Sequence, residues 1–282
     1  MIRIIQYLPF LVLLWNCGSP QTDRGSDSKA IADSTADVIT STNTFTKDTL
    51  TYVYQKVRTE SEYLSGDADK PDTSFYQINY PVFSQDRVNA LVRDAIFVEG
   101  ELDAQQAAQA FIDGYNEFVE EETTQYVTAW VRDMESKVIV QTPRLLSICT
   151  RVYEYTGGAH GHSVAIWNNY DLQNMRKITI QDLLDEQHLP TLTAIAEQKF
   201  RAAEGLAADS PLDKDFFFID GIFALNDNFG FTEKDLIFYY NEYEIKPYAQ
   251  GSTTIRISYE ELADILNPSG RAYLSSINKQ TR

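Results

Sequence analysis

The sequence predicts an α+β protein with mixed or antiparallel sheets, several packed helices and two small subdomains. Three observations lead there. Strand-like runs and amphipathic helices follow one another without the regular alternation of a doubly wound sheet. The 282 residues are 43% hydrophobic, with 17 Tyr and 15 Phe, enough apolar material for one large core or two small ones. No internal repeat appears.

The elements can be placed in order. Leu50 to Val57 alternates β-formers around Tyr52 and Tyr54, and Ser74 to Tyr80 is a second strand ending at Pro81. Ser84 opens a helix with Val88, Leu91, Val92, Ala95 and Ile96 on one face; a longer helix carries Ala108, Phe111, Ile112, Tyr115, Phe118 and Val119. Thr124 to Arg132 and Lys137 to Gln141 look like strands around a turn at Asp133-Met134-Glu135-Ser136. Two extended runs then flank a glycine-rich loop, Leu145 to Tyr155 before it and Ser163 to Leu172 after it. The loop, Thr156-Gly157-Gly158-Ala159-His160-Gly161, calls for positive φ angles and reads as the tip of a hairpin.

Thr179 with Asp182 suggests a short capped helix, and Pro190 starts another that carries Leu192, Ile195, Ala196 and Phe200 and ends at Gly205. The runs 216–219 and 222–225 read as short buried strands or tight turns. Leu236 to Tyr240 and Thr254 to Ile257 are strands, with a turn-rich crossing from Asn241 to Gly251 between them. Ser258 and Glu261 form a capping box on a last helix, Tyr259 to Leu266, which Asn267-Pro268 is expected to stop. This gives domains at 50–175 and 176–270, with 271–282 as a tail.

The N-terminus resembles a secretory signal. Leu8 to Trp15 is too short to span a bilayer, which takes about 20 residues. Leu14-Trp15-Asn16-Cys17 resembles a bacterial lipobox, apart from the large Trp15 and the polar Asn16, so 1–16 is expected to be removed and Cys17 lipidated. Residues 17–49, rich in Ser, Thr, Asp and Ala, read as a flexible tether. The expected location is the outer membrane, facing the periplasm, because Gly18-Ser19-Pro20-Gln21-Thr22 holds no recognisable surface-export signal. Cys149 would then be the sole cysteine of the folded part, placed as a small buried hydrophobe. The net charge of -17 repels nucleic acid and steers in basic partners.

Three segments together resemble one family: Asn79 to Phe83, the Tyr155 to His162 loop with its trailing Asn169-Tyr170-Asp171-Leu172, and the run from Phe231 through Tyr240 and Tyr243-Glu244-Ile245 to Pro247-Tyr248-Ala249 and Gly251. They are similar to the RsiV-like and PdaC-type tandem domains of bacterial envelope proteins, in order and spacing, over about residues 50 to 266. The resemblance implies one of three settings: the extracellular part of an anti-sigma factor that binds lysozyme, a module beside a peptidoglycan deacetylase domain, or a stand-alone lipid-anchored protein. The chain looks like the last.

The chemistry legible in the residues is sparse. His160 and His162 lie two apart, as a pair of metal ligands on one strand face would, but a zinc site needs a third and usually a fourth ligand; nothing in the sequence places the remaining His188 nearby, so Glu154 or Asp171 would have to serve. The strand parity of His162 with Val164 and Ile166 suits instead a histidine at the edge of a core. No metal, cofactor or catalytic residue is assigned, since no nucleophile elbow, zinc motif or phosphate loop is present. Tyr239, Tyr240, Tyr243 and Tyr248 crowd one strand and its turn, with Glu242 and Glu244 between them. They either pack against the core or offer an aromatic and acidic face to a cationic partner. The expectation is a non-catalytic binding module with Tyr155, His160, His162, Tyr239, Tyr243, Glu244 and Tyr248 as ligand-binding candidates. Its partner would be a basic protein such as a lysozyme, or peptidoglycan fragments. The alternatives are a wall-modifying hydrolase or deacetylase accessory, and a structural lipoprotein.

Overall fold

The computed structural model describes residues 50–67, 69–122 and 127–278. The expected signal peptide, lipidated Cys17 and tether lie outside the described residues. The fold is α+β, as expected. A six-stranded mixed sheet holds β1 (Tyr52–Asp67), β2 (Lys70–Phe83), β3 (Val131–Gln141), β4 (Leu145–Tyr155), β5 (His162–Asp171) and β6 (Arg176–Lys177), in that spatial order. Only β2 and β3 run parallel. The helices α1 (Asp86–Ile96) and α2 (Ala104–Glu121) fill the crossover between them. A second, antiparallel sheet contains β7 (Phe229–Phe231), β8 (Asp235–Tyr240) and β9 (Thr253–Ser258), accompanied by α3 (Leu189–Ala203), α4 (Tyr259–Leu262) and α5 (Pro268–Asn278).

Alternation along the strands explains the layering. Tyr76 and Ile78 on β2, Met134 on β3, and Leu146 and Ile148 on β4 face the apolar sides of α1 and α2 and make one core with them. On the opposite face, Cys149, Ala165 and Trp167 meet Ile237 of β8, so the small sheet covers one part of that face. The second core gathers Leu192, Ala196 and Phe200 of α3 with Phe216, Phe218, Phe223, Phe238 and Ile257. Val140 and Leu145 of the large sheet belong to this second core as well, so the two expected subdomains share a wall.

Several expectations meet their structural counterpart directly. β4 begins and ends where the sequence placed it. Thr179 with Asp182 and Ser258 with Glu261 are both complete capping boxes, and Pro190 lies in the first turn of α3. Other readings are corrected. Asp133 to Ser136 is not a turn but the middle of β3, where Met134 and Ser136 are buried while Asp133 and Glu135 face outward. β1 continues ten residues past Val57, through Arg58, Glu60 and Glu62, because an edge strand wetted along its length tolerates charge. Pro268 does not end a helix. It begins α5, whose Tyr273, Leu274 and Ile277 are buried, so 271–278 is core-forming rather than a tail. Residues 216–225 form turns in which Phe216, Phe218 and Phe223 are buried and Phe217, Ile219 and Ile222 exposed.

Candidate functional site

The hairpin tip is built by its glycines. Gly157 and Gly158 hold φ of 111° and 92°, and the Tyr155 hydroxyl donates to Gly158 O at 3.0 Å across the loop. Gly161 has no room for a side chain, because a Cβ there would run into the ring of Tyr153. His160, beside it, is exposed. Its Nδ1–H donates to Gly161 O at 2.9 Å, which leaves Nε2 as an acceptor 3.4 Å from the Tyr243 hydroxyl.

The turn after β8 supplies the other half. Glu244 ties it together: one carboxylate oxygen accepts from Asn241 N–H at 2.8 Å and the other from Asn226 Nδ2 at 2.6 Å. The turn holds Tyr243 at a φ of 65°, a left-handed conformation that costs a non-glycine residue about 1–2 kcal/mol and throws its ring into solvent. Tyr243 is accordingly 51% exposed, so it does not hold the strand against the core as one reading of the tyrosines had it; the buried Tyr240 does. Tyr248 stacks flat on His160, with centroids 3.9 Å apart and planes 11° from parallel. Tyr243 lies 5.5 Å from Tyr248 and 6.4 Å from His162. Four rings from two separate parts of the chain thus form one exposed cluster.

Beside it, Glu242 has a buried carboxylate oxygen, Oε2, with no hydrogen-bond partner, 3.9 Å from His162 Nδ1. The ion pair with the half-exposed histidine is long, so the carboxylate sets a negative charge beneath the rings that a nearby cation would feel.

The candidate residues therefore divide. His160, His162, Tyr243 and Tyr248 converge. Tyr155 closes the loop and Glu244 closes the turn, each through its own hydrogen bonds. Tyr239 stands apart: it is half-buried and packs beside Trp167 and Ile237. His162 is exposed rather than at a core edge, because at that end of β5 the buried positions are Ala165 and Trp167, on the other parity. Neither acid considered as a further metal ligand is free. Glu154 is engaged by Arg132, and Asp171 lies nine residues along β5 from His162, roughly 30 Å at about 3.4 Å a residue. Among the described residues, no three His, Cys, Asp or Glu side chains gather as a metal site. Cys149 is buried as expected, and that burial pushes its thiol up to about 11, where it is inert at neutral pH.

The sequence reading overlooked the residues that bring these pieces together. Among the described residues no strand lies on the outer edge of β5 beside Ala165 and Trp167, and asparagines stand in for one. Asn241 Oδ1 accepts from Ala165 N–H at 2.7 Å, and Asn228 Oδ1 accepts from Trp167 N–H at 2.8 Å. Asn228 Nδ2 donates to Ala165 O at 2.9 Å and Asn169 Nδ2 to Phe229 O at 2.8 Å. These amides fix the second sheet against the first and so hold the turn against the hairpin tip. The pattern Asn-x-Asn around Asp227 before β7 was their only sequence signal.

Comparison with known proteins matches two separate stretches of the chain. The family model described as deacetylase PdaC matches residues 68–163, and that of a protein of unknown function, DUF3298, matches residues 181–260. The chain is 27% identical over 223 residues to the peptidoglycan-N-acetylmuramic acid deacetylase PdaC of Bacillus subtilis (strain 168), covering 76% of this chain and 44% of that relative's length. In fold it is similar to a DUF3298 family member from Bacteroides fragilis NCTC 9343, with a TM-score of 0.61 at 23% identity, over 83% of this chain and all of the other. A DUF3298 family protein from Pseudomonas aeruginosa PAO1 gives 0.55 at 22% identity, over 76% of this chain and 94% of that one. The ring cluster draws His160 and His162 from the first matched segment and Tyr243 and Tyr248 from the second: this chain carries a PdaC-type domain followed by a DUF3298 domain.

Proposed function

We propose that this protein is a cell-wall-related accessory module of the bacterial envelope that works by binding, without catalysis, and that the ring cluster is its docking surface for a basic protein partner. A lysozyme-type muramidase is the sharpest candidate. One observation carries the reading: an exposed stack of His160, Tyr248 and Tyr243, assembled from both domains, lies beside the unpartnered carboxylate oxygen of Glu242. Rigid aromatic surface gives contact area at small entropic cost, and a cationic side chain laid over Tyr243 gains from the ring face and from Glu242 together. The net charge of -17 speeds the encounter with such a partner. The relationship to a protein named for acting on peptidoglycan N-acetylmuramic acid supports the wall setting, and lipidation at Cys17 would supply the anchor.

The test is titration of the chain against a basic lysozyme at low and moderate salt. Saturable binding is expected to persist at moderate salt and to be lost in Tyr243→Ala. Binding that vanishes with salt, or that ignores the substitution, would mean only that an acidic protein had met a basic one.

A further inference from the structure

On the face turned away from α1 and α2, the large sheet is left uncovered beside the small sheet, whose Tyr239 forms one wall of the gap. A groove of about 690 Å³ lies there, within the range of small-ligand sites. The strand register explains its floor. Lys56, Asn79, Glu135 and Arg151 are successive cross-strand partners from β1 to β4. Gln77 and Asp133 form the neighbouring row, with Gln77 Nε2 donating to Asp133 Oδ1 at 3.1 Å. Tyr54, Tyr153 and Tyr239 add ring surface. The floor crosses four strands, roughly 14 Å at about 4.8 Å a strand, long enough for a chain of several small rings.

We infer that this groove is a binding site for an uncharged oligosaccharide of N-acetylated amino sugars. Its charges balance locally, two cations against two anions, on a chain whose net charge is -17. A cationic ligand would gain little there over the rest of the surface, and a polyanion would be repelled by the whole. What the groove offers instead is a row of flat amide, carboxylate and guanidinium groups. These make paired hydrogen bonds to adjacent sugar hydroxyls and to the acetamido N–H and C=O. The tyrosine rings cover the apolar C–H faces of the sugars. Tyr153, 44% exposed, lines the groove and also lies over Gly161, so the groove runs up to the hairpin tip without sharing the rings of the cluster.

This site stands on its own geometry. Docking of a protein on the ring cluster and binding of a saccharide in the groove are separate readings and fail separately. The experiment is calorimetric titration of the full chain with the tetramer of N-acetylglucosamine, with cellotetraose as the control lacking acetamido groups. Saturable binding is expected, little changed between low and moderate salt, and weaker by about tenfold in Asn79→Ala and in Tyr153→Ala. It should be unaltered in Tyr243→Ala, and cellotetraose should bind at least about tenfold less tightly. If Tyr153→Ala unfolds by releasing the hairpin tip, Asn79→Ala decides alone. Absence of saturable binding, binding indifferent to Asn79, binding lost with Tyr243, or equal affinity for cellotetraose would each overturn the inference.

Discussion

Replacing Asn169 by leucine tests the joint on which the ring cluster depends. Asn169 is 1% exposed. Its Oδ1 accepts from the Ser147 hydroxyl at 2.8 Å and from Phe231 N–H at 3.3 Å, and its Nδ2 donates to Phe229 O at 2.8 Å. Leucine has similar bulk, so packing changes little while all three partners, themselves buried, lose their mate. Two well-made bonds at about 1 kcal/mol each, and a penalty for stranding buried groups that water cannot reach, give a loss of about 3 kcal/mol. Urea unfolding followed by tryptophan fluorescence measures it as a lower midpoint at unchanged slope. Ser147→Ala combined with Asn169→Leu should cost about 1 kcal/mol less than the two single losses added, because the hydroxyl is no longer left unpaired. A loss below about 0.5 kcal/mol, or strict additivity, would refute the reasoning, since the amide would then be an ornament on a joint held by apolar contact alone.

Three further outcomes are expected. Gly230→Ala places a Cβ inside the indole of Trp167 and should cost about 1–3 kcal/mol with a changed near-ultraviolet spectrum; an unchanged melting temperature would show that Trp167 moves aside freely. Burial pushes the Asp171 carboxyl up, but hydrogen bonds from Asn174, Tyr273 and Gln173 outweigh it and hold the group below its ordinary value. The stabilisation is therefore complete above about pH 4 and lost as pH falls through the folded value; Tyr273→Phe should move that acid limb upward and cost about 1.5 kcal/mol at neutral pH, and an unmoved limb would count against it. Tyr243→Gly removes a ring and a left-handed strain together, so stability should stay within about 1 kcal/mol while lysozyme binding is lost. Unfolding of that variant would make Tyr243 a structural residue.

The strands and caps were legible where local chemistry decides. The β4–β5 hairpin announced itself through alternation on both sides of a glycine loop, and both capping boxes through residues three apart. β3 was split because Asp133 and Glu135 look like a turn until the uncovered sheet face is known to accept them. Pro268 is compatible with either end of a helix, and the burial of Tyr273 and Ile277, a tertiary fact, selects the start. The ring cluster was half legible. Its four rings were named, yet their convergence depends on amides from Asn228 and Asn241 reaching across some 60 to 76 residues of chain. No periodicity records that reach.

The parallel seam between β2 and β3 has a consequence in time. Every other pairing in the large sheet joins strands that are neighbours in sequence, separated by short turns, and such hairpins close in about 1–10 μs. The seam alone must wait for the whole 84–130 segment, with α1 and α2, to find its place. Refolding should then proceed as two preformed pieces meeting, β1–β2 and β3–β4–β5, and its rate should be set by the residues that join them. Truncating Ile78 or Met134 at the seam would slow folding, whereas loss of an asparagine at the far edge would mainly hasten unfolding. The hairpin that carries His160 would thus be shaped early and receive Tyr243 and Tyr248 only when the second sheet docks.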